Sequence, residues 1–167
     1  TLGFILHVLE DMSVPDHTRD DTHAQAVEFA TADAGSPYES YTSQYTQTNI
    51  GNLDLIRKIK GSAVQIPKFS SPEEYLKSMA AYSNKYFFSK DTINDPKYSE
   101  PRVLEEKGGF GYGKDENGNL FVIAKIGEKL NQNGEYEKIY ELKDTKSGEF
   151  ILSTYFERLA KQAILHG

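Results

Sequence analysis

Apolar residues recur at helical spacing at both ends of this chain and alternate or run together only between them. Leu2, Phe4, Ile5, Leu6, Val8, Leu9 and Met12 cover nearly the whole circumference of a helix predicted over 1–13, interrupted only by His7, Glu10 and Asp11. A helix apolar on all sides is expected in a core. Pro15 lacks the N–H that would continue the helix, so the chain turns before it. Residues 14–36 read as a polar loop carrying His17, Arg19, Asp20, Asp21 and His23. Ser36-Pro37 then starts a helix reaching about Thr46, with Tyr38, Tyr41 and Tyr45 on one side as packing residues. Asn52 to Lys60 reads as a short helix ended by Gly61. Ser71-Pro-Glu-Glu74 is a capping box that opens a helix with Tyr75, Met79, Tyr82 and Tyr86 at helical spacing. Ser147 caps the last helix, whose stripe is Ile151, Leu152, Tyr155, Phe156, Leu159, Ala163 and Ile164. His166 falls at its end, where a frayed terminal residue is the simplest reading.

Between these helices, residues 91–101 are turn-rich, and the pattern then changes period. Gly108-Gly-Phe-Gly-Tyr-Gly113 lacks the spacing of a phosphate-binding loop and reads as a glycine-rich strand entering a hairpin. Asp115-Glu-Asn-Gly118 and Asn131-Gln-Asn-Gly134 are turns, with Asn119 to Ala124 and Tyr136 to Leu142 as strands. The expectation is a mainly α-helical bundle with a small antiparallel β insertion of about three strands at 109–143, on a single domain spanning 1–167. The first residues are already in apolar helical rhythm with no capping lead-in, so that domain is expected to be incomplete.

Composition narrows the function classes. With 38% hydrophobic and 26% charged residues, the chain suits a globular domain with its own core. Its net charge of −6 argues against constitutive binding to a nucleic-acid backbone, which wants a basic face. It does not exclude a metal-centred phosphodiesterase, whose ion supplies the local positive charge. The absence of cysteine removes disulfides, thiolate ligands and cysteine nucleophiles. No run is long and apolar enough to be a transmembrane segment.

Three of the four histidines lie between His7 and His23, and these residues carry the candidate chemistry. His7 and Asp11 stand i, i+4, on one face of the first helix. His17, just beyond the turn at Pro15, can fold back towards them. Imidazoles and a carboxylate converging at a helix C-terminus suit a divalent cation, zinc above calcium because of the nitrogens. The alternative is a plain buried hydrogen bond in which Asp11 orients His7. No G-x-S-x-G elbow marks a serine nucleophile.

The longer string H-x-x-x-D-x-x-x-x-x-H, with a proline two residues before its last histidine, resembles the zinc-dependent phospholipase C and single-strand-specific nuclease family. The resemblance covers residues 1–41 best. It implies His7 and Asp11 at a paired zinc site and His17 at a third zinc. It implies Glu39, within Gly35-Ser-Pro-Tyr-Glu-Ser-Tyr41, as a further ligand. The family places a histidine four residues before that glutamate; here the position is Gly35, and His23 is the candidate substitute. The family's remaining ligands and its general base precede this motif, so no catalytic residue is assigned. The resemblance further implies a helical fold, zinc as cofactor, hydrolysis of a phosphate ester in a phospholipid or nucleic-acid substrate, and an exported, extracellular or periplasmic location. Two alternatives stand beside it. One is a non-catalytic interaction domain with a degenerate or purely structural metal site. The other is an extracellular module binding through its β insertion.

Overall fold

A computed structural model of the chain describes residues 2–21, 35–43, 66–142 and 149–167. Five helices and four strands lie within them: α1 (Leu2–Asp11), α2 (Pro15–Thr18), α3 (Pro37–Thr42), α4 (Pro72–Tyr86), β1 (Glu105–Lys107), β2 (Phe110–Lys114), β3 (Leu120–Leu130), β4 (Tyr136–Glu141) and α5 (Glu149–His166). The expected short helix at 52–60, the Ser147 cap, Tyr45 and His23 fall outside the described residues.

Local chemistry explains where the elements start. Pro37 and Pro72 occupy the first turns of α3 and α4, and Ser36 and Ser71 cap them by accepting hydrogen bonds from the Glu39 and Glu74 amides. The capping box of α4 closes one residue further back than its usual form. Glu74 Oε2 accepts from the Ser70 amide at 2.8 Å and from the Ser70 hydroxyl at 2.9 Å. In the hairpins, Asp115 Oδ1 accepts from the Asn117 and Asn119 amides, and Asn131 Oδ1 accepts from those of Asn133 and Glu135. These side chains stand in for backbone acceptors and fix the two turns.

The four strands form one antiparallel sheet in the order β1-β2-β3-β4. Strand β1 has no apolar pattern and is exposed throughout. It exists because Gly108 and Gly109, at φ 61° and 83°, make the two-residue turn that folds it onto β2. This pair is the turn itself, not part of the incoming strand. Gly113 is needed for space, since a Cβ there would lie 2.8 Å from Ile123 Cδ1.

The sheet corrects the expected fold class. Among the described residues 42% are helical and 20% lie in strands, and the sheet is a layer of the core rather than an insertion on a helical bundle. Phe121, Val122, Ile123 and Ala124 are consecutive and all buried. A strand buried on both faces has lost the in-out alternation of a solvated flap. Helix α5 lies against β3 and also touches α1, α3 and α4. Its Tyr155 hydroxyl donates to the Ile123 carbonyl at 2.6 Å and accepts from the Phe88 amide at 3.2 Å. Phe87 packs edge-on against Tyr155 at 4.8 Å and tilted against Phe121 at 5.6 Å. The apolar run Phe121 to Ala124 is therefore central because a helix covers it, while Leu120 at the start of β3 is exposed and the far end of the strand continues into solvent with β4.

Helix α1 also departs from expectation. Leu9 is its one buried residue, while Leu2 and Phe4 are 71% and 69% exposed. Among the described residues the helix rests against α4 and α5. An all-round apolar sequence reports what a helix can bury, not how many neighbours reach it.

Candidate functional site

Four of the five candidate ligands come together where α1, α2 and α3 meet. His7 Nε2 lies 3.7 Å from Asp11 Oδ2, and His17 Nδ1 lies 3.9 Å from Asp11 Oδ1. The other ring nitrogen, His17 Nε2, lies 3.4 Å from Glu39 Oε1. Asp11 thus stands between two imidazoles, and His17 stands between two carboxylates. His23 lies outside the described residues.

Each member is placed by its own element. Val14 is extended ahead of α2, and its amide donates to the Asp11 carbonyl at 3.0 Å, so the chain reverses and brings His17 back to the end of α1. Pro15 sits at the first position of α2, where its missing N–H costs nothing. Glu39 is held in the first turn of α3, where its own amide donates to Ser36 Oγ. Helix α4 anchors the reversal. Buried Ser83 donates to the Met12 carbonyl at 2.6 Å, and Asn84 Nδ2 donates to the Thr18 carbonyl at 2.5 Å.

The three spacings decide how the cluster fits a metal. Two ligands each about 2.0–2.1 Å from a tetrahedral zinc stand about 3.3 Å apart. The His17–Glu39 gap matches that spacing, and the two gaps at Asp11 exceed it by a few tenths of an ångström. All three lie at or beyond the long end of direct hydrogen bonding. The donors nevertheless meet as pairs. The two nitrogens of His17 face different carboxylates, so its ring separates Asp11 from Glu39. Among the described residues, no group of three or more His, Asp or Glu is placed to hold one ion. His7 is 70% exposed rather than buried. The demand that a buried ionisable pair find a partner therefore does not apply to it.

The residues that sequence reasoning passed over lie directly after His17. Arg19, expected in a polar loop, is fully buried. Its Nε donates to Thr92 Oγ1 at 2.7 Å, and its Nη1 donates to the Asn84 and Glu100 carbonyls. The guanidinium carbon lies 4.3 Å from the Tyr98 ring centre and 5.8 Å from that of Phe88. Burial pulls the guanidinium below its ordinary pKa, with Tyr155, Tyr98 and Asp95 pushing it back up. Among the described residues its hydrogen-bonding and ring partners come from residues 84–100, distant in sequence, so no local signal marked it. The polar signature of the loop instead pointed to solvent.

Asp21 is buried beside Arg19 in sequence and accepts from the Asp91 amide at 3.1 Å. Burial, then a hydrogen bond with the Asp91 carboxyl, pushes the Asp21 carboxyl up from 3.8 to about 7. The folded state consequently holds a proton there that the unfolded chain releases at about 3.8. The stability this proton confers is complete at acid pH and is lost as pH rises through about 7. Thermal melting temperatures are expected to fall between pH 5 and pH 8, and Asp21→Asn should flatten that fall. Equal pH dependence in the two proteins would remove Asp21 as its source.

Two concave surface regions among the described residues lie away from the histidine cluster. One, of about 410 Å³, lies between the end of α4 and the β2–β3 turn, lined by Lys85, Arg102 and Lys114 among others. The other, of about 630 Å³, lies along the start of α4. Compared with known proteins, the chain matches no family model, no curated protein and no solved structure. The likeness to the zinc-dependent phospholipase C and nuclease family therefore rests on the quoted motif alone.

Proposed function

We propose that His7, Asp11, His17 and Glu39 hold zinc and that the chain hydrolyses phosphate esters, phospholipid or nucleic acid. One observation carries this reading: donors from three separate elements, brought together by a turn and two capped helices, stand 3.4–3.9 Å apart in an unbroken His–Asp–His–Glu chain. Zinc held there would supply a Lewis acid for a phosphoryl oxygen. Asp11 and Glu39 would balance the cation's charge, and Asp11 turns one oxygen towards each histidine. His7 faces solvent and leaves this edge open to substrate.

The test is metal analysis of the purified chain together with turnover of bis(p-nitrophenyl) phosphate. Zinc is expected to copurify, and chelation is expected to stop turnover. Asp11→Asn keeps the shape of the side chain on a half-exposed helix end, so the fold should persist. Metal affinity should drop by about 100-fold or more, since even outer-shell partners are worth about 10–100-fold. Undiminished zinc in that variant would remove the site.

The pairwise placement of the donors favours a second reading, a non-catalytic interaction domain with a structural ion. Zinc bound without phosphodiester turnover would select it.

A further inference from the structure

The geometry points to a second site: a Ser78–His166 dyad poised for acyl transfer on carboxylic esters. Ser78 is on α4 and His166 is the last residue of α5, yet His166 Nε2 lies 3.1 Å from Ser78 Oγ. His166 Nδ1 lies 2.7 Å from the Gln162 carbonyl oxygen. A carbonyl oxygen only accepts, so in the neutral ring Nδ1 carries the hydrogen and Nε2 presents its lone pair to the serine hydroxyl. This is the arrangement of an activated nucleophile: a base within hydrogen-bond reach, its tautomer set by a third group. The third group here is a backbone carbonyl in place of a carboxylate.

The imidazole is held as a working base requires. His166 is buried, with the Phe69 ring 6.1 Å and the Tyr75 ring 6.3 Å from its own. Phe69 and Tyr75 in turn pack edge-on at 4.9 Å, and the Tyr75 hydroxyl donates to the Pro67 carbonyl at 3.3 Å. Ser78 opens onto the groove of about 630 Å³, which Phe69, Lys68 and Lys77 also line. Phe69 offers an apolar wall for an acyl chain.

In the reaction, Ser78 Oγ attacks the ester carbonyl carbon and its proton passes to His166 Nε2. The carbonyl π pair moves onto oxygen. The pair returns, the bond to the alkoxy oxygen breaks, and the leaving alcohol takes the proton from His166. Water then repeats the sequence on the acyl-serine, releasing the carboxylic acid and restoring the hydroxyl.

The experiment uses the full chain with p-nitrophenyl acetate and with an alkyl fluorophosphonate probe read by peptide mass spectrometry. The expected result is a covalent adduct on Ser78 and ester turnover above the solution rate. Ser78→Ala should lose both. His166→Asn can still donate to the Gln162 carbonyl but has no base facing Ser78, and should lower the labelling rate by about 100-fold or more. Helical circular dichroism retained in both variants ties the losses to chemistry. An adduct elsewhere, equal turnover in wild type and Ser78→Ala, or turnover abolished by a metal chelator would overturn the dyad.

Discussion

Arg19→Ala is expected to destabilise the fold by about 3–5 kcal/mol, the range for emptying a large core position. The substitution leaves a cavity under the Tyr98 and Phe88 rings. It also removes the donor to the Asn84 and Glu100 carbonyls, while Thr92 Oγ1 keeps the Ser89 amide and hydroxyl. Each buried polar group left without a partner costs about 1–3 kcal/mol. Relief of the guanidinium's own desolvation offsets part of this sum. The Arg19 backbone contributes as well, since the Tyr98 hydroxyl donates to its carbonyl. Arg19→Lys should recover little, because a single ammonium cannot reproduce a planar fork that reaches three acceptors while stacking on an aromatic ring. Arg19→Met restores volume without donors and separates packing from hydrogen bonding. Urea denaturation followed by circular dichroism gives the three values. An alanine variant within about 1 kcal/mol of wild type would show that Arg19 does not hold residues 84–100 against α2.

Tyr155→Phe is expected to cost about 2–4 kcal/mol although it removes a single oxygen atom and leaves the ring packing intact. The hydroxyl is wholly buried and serves two backbone groups at once, the Ile123 carbonyl and the Phe88 amide. Both lie too deep for water to replace it, so the cost is that of two orphaned groups rather than one average hydrogen bond. Burial pushes the phenol well above its ordinary pKa, so the group remains a donor at any pH the fold tolerates. Hydrogen exchange localises the effect: the Phe88 amide should lose more protection than the loss in global stability accounts for. Equal stability of wild type and Tyr155→Phe would mean that α5 and β3 are joined by ring packing alone.

Both substitutions strike where helices meet the sheet, and this junction separates what was legible in the chain from what was not. The starts of α3 and α4 were legible, because a serine cap and a following proline act on amides within three residues. The turns at Asp115 and Asn131 were legible for the same reason. The cluster of His7, Asp11, His17 and Glu39 was legible as a set, since a four-residue helical spacing and a turn at a proline bring the first three near one another. The Glu39 position came through the family resemblance. Their arrangement as pairs was not legible, because the orientation of the His17 ring depends on where α3 docks.

Sequence alone therefore determined the caps of α3 and α4, the hairpin turns, the apolar stripe of α5 from Ile151 to Leu159, though not its continuation to the exposed Ile164, and the residue types gathered at the end of α1. Each of these is decided by groups a few positions apart, whose geometry the backbone dictates. Tertiary structure decided the burial of Arg19, the place of β3 as a core layer, the exposure of Leu2 and Phe4 on α1, and the meeting of Ser78 with His166. Each of these depends on which distant surface arrives opposite. Hydrophobic periodicity states that a face seeks cover, but only the packed chain supplies what covers it.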